Sequence, residues 1–584
     1  MEIIVDKKLF WFWFWWLAAG VALAALLGRP LFASFWGSLA GIFLFGMIFS
    51  LPLAAFCENI FAKFRLGEGK KPLVIISMFA LAFFIFYAAF SVHKYDNFAA
   101  GYDLAIFDQA IWHMSRFELP ASSVRNVALV FADHFDPAIA LLVPFYGLLP
   151  DPRTLLVLQS LVLVAPVFAL YAWGRRAGIN PLHLIFLALY YLTAASVQGT
   201  PNFDFHETAL APLLITLSFW FLREKKWRLF FLVAALLVLV KEEFALLVAM
   251  MGIYIIIKEK NRRTGIAAVA LGLGFFVLLM AIIMPAINGA GSGYVYGQLF
   301  YGFENGFLAG IVNYVFNPAG IMEVLAVFPD KWWNIIFYML PLAAPLFFVP
   351  QAIVLFLPAL AQRVLSSYEY LSWPRYYYNL SFAALGLAVF AVFLAEKKYI
   401  TRLAGVENKL RRYSATAVGW LVAFPLAVNL VYSGNYSYLF DPAANWNSVV
   451  DPDPAATKAL MQAIPPEASV AASQVFLPHL SHRQNLYALP RMGDAQFVAV
   501  RACAAEPCNY WPMNKNDVPV LVARLKNDPA YSIKLENAAG IVFEKTGEYD
   551  TRLQNENRQM CRQMIENAKL EPMHQNYMQK NCGQ

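Results

Sequence analysis

Residues Gly101–Pro137 read GYDLAIFDQAIWHMSRFELPASSVRNVALVFADHFDP, and they decide how the rest of the chain is interpreted. An apolar run, Leu73–Val92, precedes this stretch, and another, Leu155–Trp173, follows it. The stretch holds four aspartates and two histidines, so ionisable groups are kept close to hydrocarbon. Because charge beside a bilayer core is costly, such groups indicate a function. The sequence therefore predicts a chemically active site at a membrane surface.

The composition is that of a membrane protein with a soluble C-terminal segment. The 584 residues are 60% hydrophobic and only 14% charged, which is more apolar surface than a soluble domain can hide. After about Tyr438 the composition becomes ordinary and globular, with short apolar segments that are sufficient for a small core rather than a disordered tail. We predict an all-α polytopic membrane domain at residues 1–437, with an external loop at 93–153. A small α/β extracytoplasmic domain is predicted at residues 438–584.

The apolar runs predict about thirteen transmembrane helices, because about 17–25 apolar residues suffice for one crossing. The first run lacks a small-residue cleavage site and is followed at once by a second, so it is interpreted as an uncleaved anchor. The predicted spans are Leu9–Leu27, Phe32–Phe56, Leu73–Val92, Leu155–Trp173, Leu184–Gln198, Leu210–Leu222, Leu229–Val240, Phe244–Ile257, Ile266–Pro285, Trp333–Phe348, Ile353–Leu360, Leu380–Leu394 and Ala415–Val431.

Basic clusters between the spans give the orientation, since cytoplasmic loops of membrane proteins are rich in Lys and Arg. An even number of spans separates each cluster from the next, which places the N-terminus in the cytoplasm and the C-terminus outside. The protein is therefore predicted to be a multi-pass protein of the plasma membrane. The net charge of +7 is explained by these clusters, and no nucleic-acid partner is expected. The clusters lie at 63–71, 175–176, 223–228, 258–263 and 397–412.

Cysteine usage agrees with an external C-terminal domain. Cys503, Cys508, Cys561 and Cys582 all lie in that domain, and an oxidising compartment favours two disulfides. The simplest of the three possible pairings joins Cys503 to Cys508 and Cys561 to Cys582. A zinc site is the alternative, but the four-residue spacing from Cys503 to Cys508 is loose for zinc and no adjacent histidine completes it.

The stretch after Gly101 carries two candidate catalytic carboxylates, Asp103 and Asp108. The pattern LAIFDQAIWHM predicts a short amphipathic helix, and Asp103 stands just before it, so capping the helix N-terminus is an alternative role for Asp103. Five residues on a helix turn through about 140° beyond a full turn, so the two carboxylates share a face only if Asp103 lies off the helix end. Asp108 and Trp112 are one turn apart and are predicted to line the same side.

The segment ADHFDP adds His134 as a third catalytic candidate and Asp136 as a substrate-binding candidate. Pro137 is suited to the first position of a helix, so Asp136 could instead serve as its N-cap. In an extended segment His134 and Asp136 would face one way and Phe135 the other. A capping role does not account for His134.

Two further segments also place ionisable side chains next to apolar ones. In NFDFHE, Asp204 and His206 alternate with phenylalanines and Glu207 follows; the alternative is a loop whose phenylalanines enter the membrane interface. In LVKEEFAL, Lys241 and Glu242 interrupt two apolar half-runs. A lysine beside acids can be a self-neutralising turn, or it can be a cation for a phosphate that the acids position. All five residues are substrate-binding candidates.

The segment SSYEYLSWPRYYYN ends an external loop and supplies the last candidates. Arg375 stands at the mouth of the following span, where a guanidinium is suited to binding phosphate. Tyr376 could stack on a sugar, although tyrosines at a membrane interface are the commoner explanation. These signals are individually unspecific, and their predicted position on one membrane face is what favours a site.

Several of these motifs resemble a known family. FDQAIW, HFDP, FHE, KEE and the segment IPPEASVAASQVFLPHLSHRQNLYALP at Ile464–Pro490 resemble the DUF2079 family of predicted bacterial and archaeal membrane proteins. That family is similar to the GT-C superfamily of membrane glycosyltransferases, which carry an acidic residue in the first large external loop and use polyprenyl-phosphate-linked sugars. The resemblance implies that Asp103 is the first candidate for this loop acid and Asp108 the second. The chain departs from the simplest GT-C plan by placing two spans before the one that leads into the acidic loop.

The resemblance implies an inverting glycosyl transfer at the outer membrane face. A polyprenyl-phosphate sugar would enter from the bilayer, its phosphate would meet Arg375 or Lys241, and Asp103 or Asp108 would act as general base on a glycan, lipid or protein acceptor. His134, His206 or Glu207 would orient the base or ligate a divalent cation. Such mixed ligands permit Mg²⁺ or Mn²⁺ without requiring either.

Two other function classes compete with this hypothesis. A transporter or flippase of a lipid-linked or small polar substrate would also use interrupted helices and buried charges. A transporter should have charged residues distributed along a path through the membrane, whereas a transferase should have them clustered at one membrane surface. The third alternative is a non-catalytic scaffold that presents the external domain. About thirteen spans are more than such an anchor needs.

Overall fold

The computed structural model describes most of the chain between residue 63 and residue 570. The predicted spans Leu9–Leu27 and Phe32–Phe56, and most of Ala415–Val431, lie outside the described residues. The described residues are 60, 63–288, 295–300, 330–396, 448–502, 511–547 and 551–570, with isolated positions at 310, 312, 313, 316, 317, 319, 320, 423, 425, 426, 446, 578, 579, 581 and 582.

The described part of the membrane domain is built from helices, and each predicted span between Leu73 and Leu394 overlaps at least one of them, whereas the helices Tyr102–Ser115 and Val143–Tyr146 lie outside those spans. Their apolar faces pack into one continuous core that also includes side chains of the C-terminal segment. The helices are α1 Lys71–Asp96, α2 Tyr102–Ser115, α3 Val143–Tyr146, α4 Pro152–Val164, α5 Pro166–Arg176, α6 Pro181–Leu192, α7 Ala195–Gly199, α8 Ala211–Arg223, α9 Trp227–Val238, α10 Glu243–Tyr254, α11 Arg262–Leu278, α12 Met284–Asn288, α13 Asp330–Met339, α14 Ala343–Phe348, α15 Leu357–Leu365 and α16 Leu380–Ala395.

Within the described residues, four helical segments are long and apolar enough to cross a membrane on their own, namely Lys71–Asp96, Pro152–Arg176, Arg262–Asn288 and Tyr377–Ala395. A fifth candidate, Pro181–Leu192 with Ala195–Asn202, is bent by 46°. Other apolar helices, such as α9, are shorter. The fold is therefore that of a helical membrane protein. The total of about thirteen spans stays a prediction.

Charged side chains tie several helices together at one end of the bundle. Arg223, the last residue of α8, contacts Glu259 and lies 3.4 Å from the Glu396 carboxylate, which directly follows α16. Lys258, just beyond α10, lies 2.9 Å from the same carboxylate, and Arg176 at the end of α5 lies 3.7 Å from Glu224. Four of the predicted basic clusters, or their immediate neighbours in sequence, therefore share one end of the bundle.

The same helices place the candidate loops at the opposite end. Glu207 lies one turn before α8 begins, Lys241 lies between α9 and α10, and Tyr377 lies just before α16. Because each of these helices runs from a candidate loop to a basic cluster, the two sets of loops are separated by the length of the bundle. This arrangement agrees with the even number of spans predicted between clusters.

The C-terminal segment folds around a five-stranded sheet with the strand order β2-β1-β3-β5-β4. Strand β1 pairs in parallel with β2 and β3, whereas β5 pairs antiparallel with β3 and β4. This small sheet with helices matches the predicted α/β fold. The strands are β1 Val470–Ala472, β2 Leu486–Ala488, β3 Phe497–Arg501, β4 Tyr531–Asn537 and β5 Gly540–Lys545, and the helices are α17 Pro454–Gln462, α18 Asp517–Asn527 and α19 Thr551–Asn567.

A disulfide closes the end of this segment. The Cys561 side chain, on α19, is bonded to Cys582, which is one of the two pairs in the simplest predicted pairing. Cys503 and Cys508 lie outside the described residues, so their predicted pairing stays a prediction.

Small residues allow α10 and α11 to approach closely. A Cβ atom added at Gly272 would overlap the carbonyl oxygen of Ala245 and the amide nitrogen of Ala249, whereas one added at Gly274 would meet nothing within 4 Å. We therefore expect Gly272→Ala to lower the free energy of unfolding by about 1–3 kcal/mol, because the two backbones must move apart. Gly274→Ala, the matched control, should leave it unchanged or raise it, since alanine is the better helix former. Thermal unfolding in detergent measures both, and equal stability of the two variants would contradict this packing.

Candidate active site

The helix α2 presents Asp103 at the proposed site. The helix begins at Tyr102 and its N-cap residue is Gly101, so Asp103 lies in the first turn and the capping alternative is wrong. The Asp103 side chain is 49% exposed, and its Oδ2 lies 3.5 Å from Nε2 of His206. Asp103 is therefore a partly exposed carboxylate with a histidine partner from the FHE segment.

The surroundings keep Asp103 ionised. Desolvation is the largest single influence and raises the pKa of its carboxyl, but the hydrogen bond and charge of His206 together with the Arg125 guanidinium outweigh it. The net effect is a pKa below the ordinary aspartate value. An ionised, partly exposed carboxylate can accept a proton from a bound molecule.

Two contacts orient the His206 ring against Asp103, and a third holds its backbone. The ring is stacked on Tyr377 at 3.5 Å between centroids, and Nδ1 lies 3.3 Å from the Asp204 carbonyl oxygen. The His206 backbone N–H donates to the Gln159 side chain at 2.8 Å. Both ring nitrogens therefore face oxygen acceptors, and a protonated ring would donate to both.

Glu207 and Lys241 form a buried ion pair next to His206. Lys241 Nζ lies 3.0 Å from Glu207 Oε1, and the two side chains are only 8% and 1% exposed. Burial opposes the charge on Lys241, but the carboxylates of Glu207, Glu242 and Glu243 raise its pKa above the ordinary lysine value. The ammonium group also lies 5.9 Å from the ring centroid of Tyr378. The charge of Lys241 is thus already neutralised by protein carboxylates.

His134 belongs to the same network through Glu242. The Nδ1 atom of His134 lies 2.8 Å from Glu242 Oε1, and the backbone N–H of Phe135 donates to Glu242 Oε2 at 3.1 Å. The His134 ring is stacked on Tyr296, with 4.4 Å between centroids. The acidic loop that follows α1 is therefore attached to the KEE segment, with His134 engaged by Glu242 rather than by Asp103.

Arg125 and Tyr296 are site residues that the sequence analysis missed. The Arg125 guanidinium makes two hydrogen bonds to Asp133, of 2.8 and 2.6 Å, and Tyr296 donates to the same carboxylate at 2.8 Å. Desolvation raises the pKa of Asp133, but Arg125 and His134 lower it below its ordinary value. Arg125 is the one cation between Arg116 and Arg153 in the sequence, and its position within the acidic stretch could have identified it.

Asp136 is a buried carboxyl close to the carboxylates of Glu207 and Glu242. It occupies the N-cap position of the 3₁₀ helix Pro137–Leu142, as predicted, but its side chain makes no capping hydrogen bond. Its side chain is almost fully buried, and Oδ1 has no hydrogen-bond partner within the described residues. Burial, reinforced by the carboxylates of Glu207 and Glu242, raises the pKa of Asp136 well above its ordinary value. This carboxyl therefore favours its neutral form in the folded protein.

The neutral state of Asp136 predicts a pH-dependent gain of stability in Asp136→Asn. A carboxyl with a raised folded-state pKa stabilises the fold below its unfolded-state pKa, and this contribution is lost as pH rises through the folded-state value. Asparagine cannot ionise, so the variant should be more stable than wild type at about pH 7.5, and the gain should shrink toward about pH 4.5. Thermal unfolding at both pH values measures the difference. Asp96→Asn, at an exposed carboxylate, should show no such pH-dependent gain, and a pH-independent loss in Asp136→Asn would contradict the neutral state.

Two predicted site carboxylates lie in other contacts. Asp204 accepts hydrogen bonds of 2.7 Å from Lys94 Nζ and from the backbone N–H of Gly101, so it holds the N-terminus of α2. Asp108 is completely buried. Its carboxylate accepts hydrogen bonds from Tyr146 and Ser481 and lies close to the His482 ring. Neither carboxylate contacts the Asp103–His206 pair.

Arg375 and Tyr376 lie immediately before the tyrosine that stacks on His206. The Arg375 guanidinium lies 5.0 Å from the ring centroid of Trp373 and 5.7 Å from that of Tyr376. The Tyr376 ring packs on Phe203 with 4.2 Å between centroids. The PRYYY segment therefore borders the NFDFHE segment, as the sequence predicted for loops on one membrane face.

A buried arginine that the sequence analysis missed braces this segment. Arg363, on α15, is 1% exposed, and it donates to the Asn379 side chain at 3.0 Å and to the Tyr378 carbonyl oxygen. Asn379 in turn donates to the Trp373 carbonyl oxygen at 2.8 Å. An arginine within the apolar run LPALAQRVL was the available signal, because a charge in such a run indicates a role.

The side chains that the structure describes do not form a recognisable metal site. Across the described ranges, no three His, Cys, Asp or Glu side chains are grouped as a ligand set for a metal ion. The Mg²⁺ or Mn²⁺ that the sequence permits without requiring therefore has no ligand set among the described residues.

Comparison with known proteins identifies the family. The family model described as "Predicted membrane protein (DUF2079)" matches residues 94–542, and no curated protein matches. Two solved structures show a partial likeness at low sequence identity, both of ArnT from Cupriavidus metallidurans. The structure bound to undecaprenyl phosphate has 12% identity and a TM-score of 0.43, covering 82% of this chain and 98% of that chain. The structure in the apo state has 11% identity and a TM-score of 0.39, covering 80% and 98%. The family match spans more than half of the sequence, and the chain belongs to the DUF2079 family of predicted membrane proteins.

Proposed function

We propose that this protein is an inverting membrane glycosyltransferase that moves a sugar from a polyprenyl-phosphate donor to an acceptor on the extracytoplasmic face. The acceptor is a glycan, lipid or protein hydroxyl. The proposal places the protein in a bacterial inner membrane with its N-terminus in the cytoplasm and its C-terminal domain outside. It extends what the sequence motifs imply by their resemblance to the GT-C superfamily.

The observation that carries the proposal is the Asp103–His206 pair. Asp103 combines 49% exposure with a lowered pKa, so it is both accessible and ionised. The other acids around it are buried or neutralised by basic side chains, as in the pairs of Glu207 with Lys241 and of Asp133 with Arg125. Asp103 is therefore the best-suited general base in this region.

The phosphate of the donor is assigned to Arg375 rather than to Lys241. Lys241 is buried and its charge is matched by the Glu207 carboxylate at 3.0 Å, so binding a phosphate would require that ion pair to break. Arg375 is half-buried among aromatic rings, two residues from the Tyr377 ring that stacks on His206. A guanidinium in such a place can bind phosphate oxygens in a bidentate manner.

In the proposed reaction an acceptor hydroxyl attacks the anomeric carbon of the donor sugar. Asp103 takes the hydroxyl proton as the new carbon–oxygen bond forms. The bond between the anomeric carbon and the phosphate oxygen breaks on the opposite side, and polyprenyl phosphate leaves with the bonding electron pair. His206 holds Asp103 in its ionised form, and Arg375 offsets the charge that develops on the phosphate.

The rival transporter hypothesis makes a different prediction for one experiment. Purified protein in liposomes is given a panel of polyprenyl-phosphate hexoses together with a cell-envelope extract as the source of acceptor. The proposal predicts release of polyprenyl phosphate and transfer of the labelled hexose to the extract. Movement of intact sugar-lipid between leaflets without release of polyprenyl phosphate would instead support a flippase and overturn the proposal.

A further inference from the structure

The most completely buried carboxylate of α2, Asp108, joins two distant parts of the chain. Its side chain has no exposed surface. Tyr146 donates to Oδ1 at 2.6 Å, while Ser481 donates to Oδ2 and His482 Nε2 lies 3.1 Å from Oδ2. Tyr146 belongs to α3 in the first external loop, whereas Ser481 and His482 belong to the C-terminal domain. The carboxylate therefore connects α2 to that domain.

Neighbouring contacts extend this connection along the helix. The Gln109 side-chain N–H group donates to the Arg483 carbonyl oxygen at 2.8 Å, and the Trp112 ring is stacked on His482 at 5.6 Å. The backbone N–H of Leu486, the first residue of β2, donates to the Ser123 hydroxyl at 2.8 Å, which places the edge strand beside the same loop. The LSHR segment of the C-terminal domain thus lies along α2.

The N-terminus of α2 is held separately by the membrane domain. The Gly101 backbone N–H donates to Asp204 Oδ2 at 2.7 Å, and Asp204 is itself paired with Lys94 on α1 at the same distance. Asp103 stands between this attachment at Gly101 and the attachment at Asp108. Its position against His206 therefore depends on both.

We propose that Asp108 is a positioning residue, through which the Ser481–His482 pair of the C-terminal domain fixes helix α2 and so holds Asp103 in place. The effect of Asp108 on catalysis rests on the proposed function, in which Asp103 is the general base. It assigns the C-terminal domain a role within the active site, as the clamp on the helix that carries the general base. A carboxylate suits this role because all three of its partners can donate a hydrogen bond to it, whereas the NH₂ group of an asparagine would face donors.

The kinetic test compares Asp108→Asn with Ser481→Ala and with a control, Asp517→Asn. Misplacement of a catalytic group by about 1 Å can cost about 10²-fold in rate, so we expect Asp108→Asn to lower kcat by about 10²-fold with KM nearly unchanged. Ser481→Ala removes one hydrogen-bond donor to Asp108 and should lower kcat by a smaller factor. It replaces Asp108→Asn as the test if that variant does not fold. Asp517 is a buried carboxylate that pairs with Asn567 inside the C-terminal domain, and its variant should leave kcat unchanged.

Two readouts distinguish positioning from a general loss of stability. In an Asp103→Asn background, Asp108→Asn should cause no further loss of the residual rate, because its effect passes through Asp103. Hydrogen exchange at the amides of α2 should be faster in Asp108→Asn than in wild type or Asp517→Asn. This exchange remains measurable if wild type shows no transfer, in which case the proposed function fails while the clamp is still tested. Additive losses with Asp103→Asn, or unchanged exchange along α2, would overturn the inference.

Discussion

Replacing Asp103 by asparagine should lower the rate of glycosyl transfer by about 10³-fold, because the variant has no carboxylate to take the proton of the acceptor hydroxyl. Asparagine has the same size and can still accept a hydrogen bond from His206, whose Nε2 lies 3.5 Å from the carboxylate. The side chain is 49% exposed, so the substitution leaves no buried polar group unpaired. The loss should therefore appear mainly in kcat. Thermal stability should fall only slightly, through loss of the small stabilisation that a carboxylate with a lowered pKa provides.

The matched control for this prediction is Asp96→Asn. Asp96 is the last residue of α1, and its side chain is 44% exposed and paired with Arg153. The same chemical change at this carboxylate should leave the rate within about twofold of wild type, since exposed ion pairs contribute little. Release of polyprenyl phosphate from the labelled donor measures both variants. A rate in Asp103→Asn that is close to that of Asp96→Asn would exclude Asp103 as the base.

The second large effect concerns stability. Lys241→Met should lower the free energy of unfolding by about 3–5 kcal/mol, because it leaves the Glu207 carboxylate buried and without its cation. Glu207 is only 1% exposed, and Lys241 Nζ lies 3.0 Å from its Oε1. The neighbouring carboxylates that raise the pKa of Lys241 would add their repulsion once the ammonium is removed.

A double variant and an exposed ion pair serve as controls for Lys241→Met. Combining Lys241→Met with Glu207→Gln removes both charges, so most of the lost stability should return. Lys226 contacts Glu224 at the opposite end of the bundle and is 41% exposed, and Lys226→Met should cost at most about 1 kcal/mol. Unfolding in detergent, followed by tryptophan fluorescence, measures all three. Equal losses in Lys241→Met and Lys226→Met would contradict a buried pair.

The sequence predicted which loops converge but not which side chains pair. Runs of apolar residues and basic clusters place FHE, KEE and the acidic loop after α1 at one end of the bundle, because helix lengths and the distribution of Lys and Arg are local properties. The partners His206–Asp103 and His134–Glu242 are more than 100 residues apart, and their pairing depends on how the helices pack. No local pattern carries that information.

The contacts of Asp108 are a second case in which the local sequence does not reveal the partners of a side chain. Its neighbours in sequence predicted a face shared with Trp112, and both side chains do contact His482. That histidine lies in the C-terminal segment, more than 350 residues away, so the sequence of the first loop alone identified Asp108 only as a second candidate base. Its complete burial, which the structure adds, favours a positioning role over proton transfer with a bound acceptor.

The most direct test of the proposed function is a structure of the full chain with a polyprenyl phosphate bound. The phosphate should lie beside Arg375, with the Asp103–His206 pair facing the position that the donor sugar would occupy. The Lys241–Glu207 ion pair should remain intact in that complex. A phosphate bound at the opposite end of the bundle, beside Arg223 and Lys258, would contradict the central claim that Asp103 marks the site of glycosyl transfer.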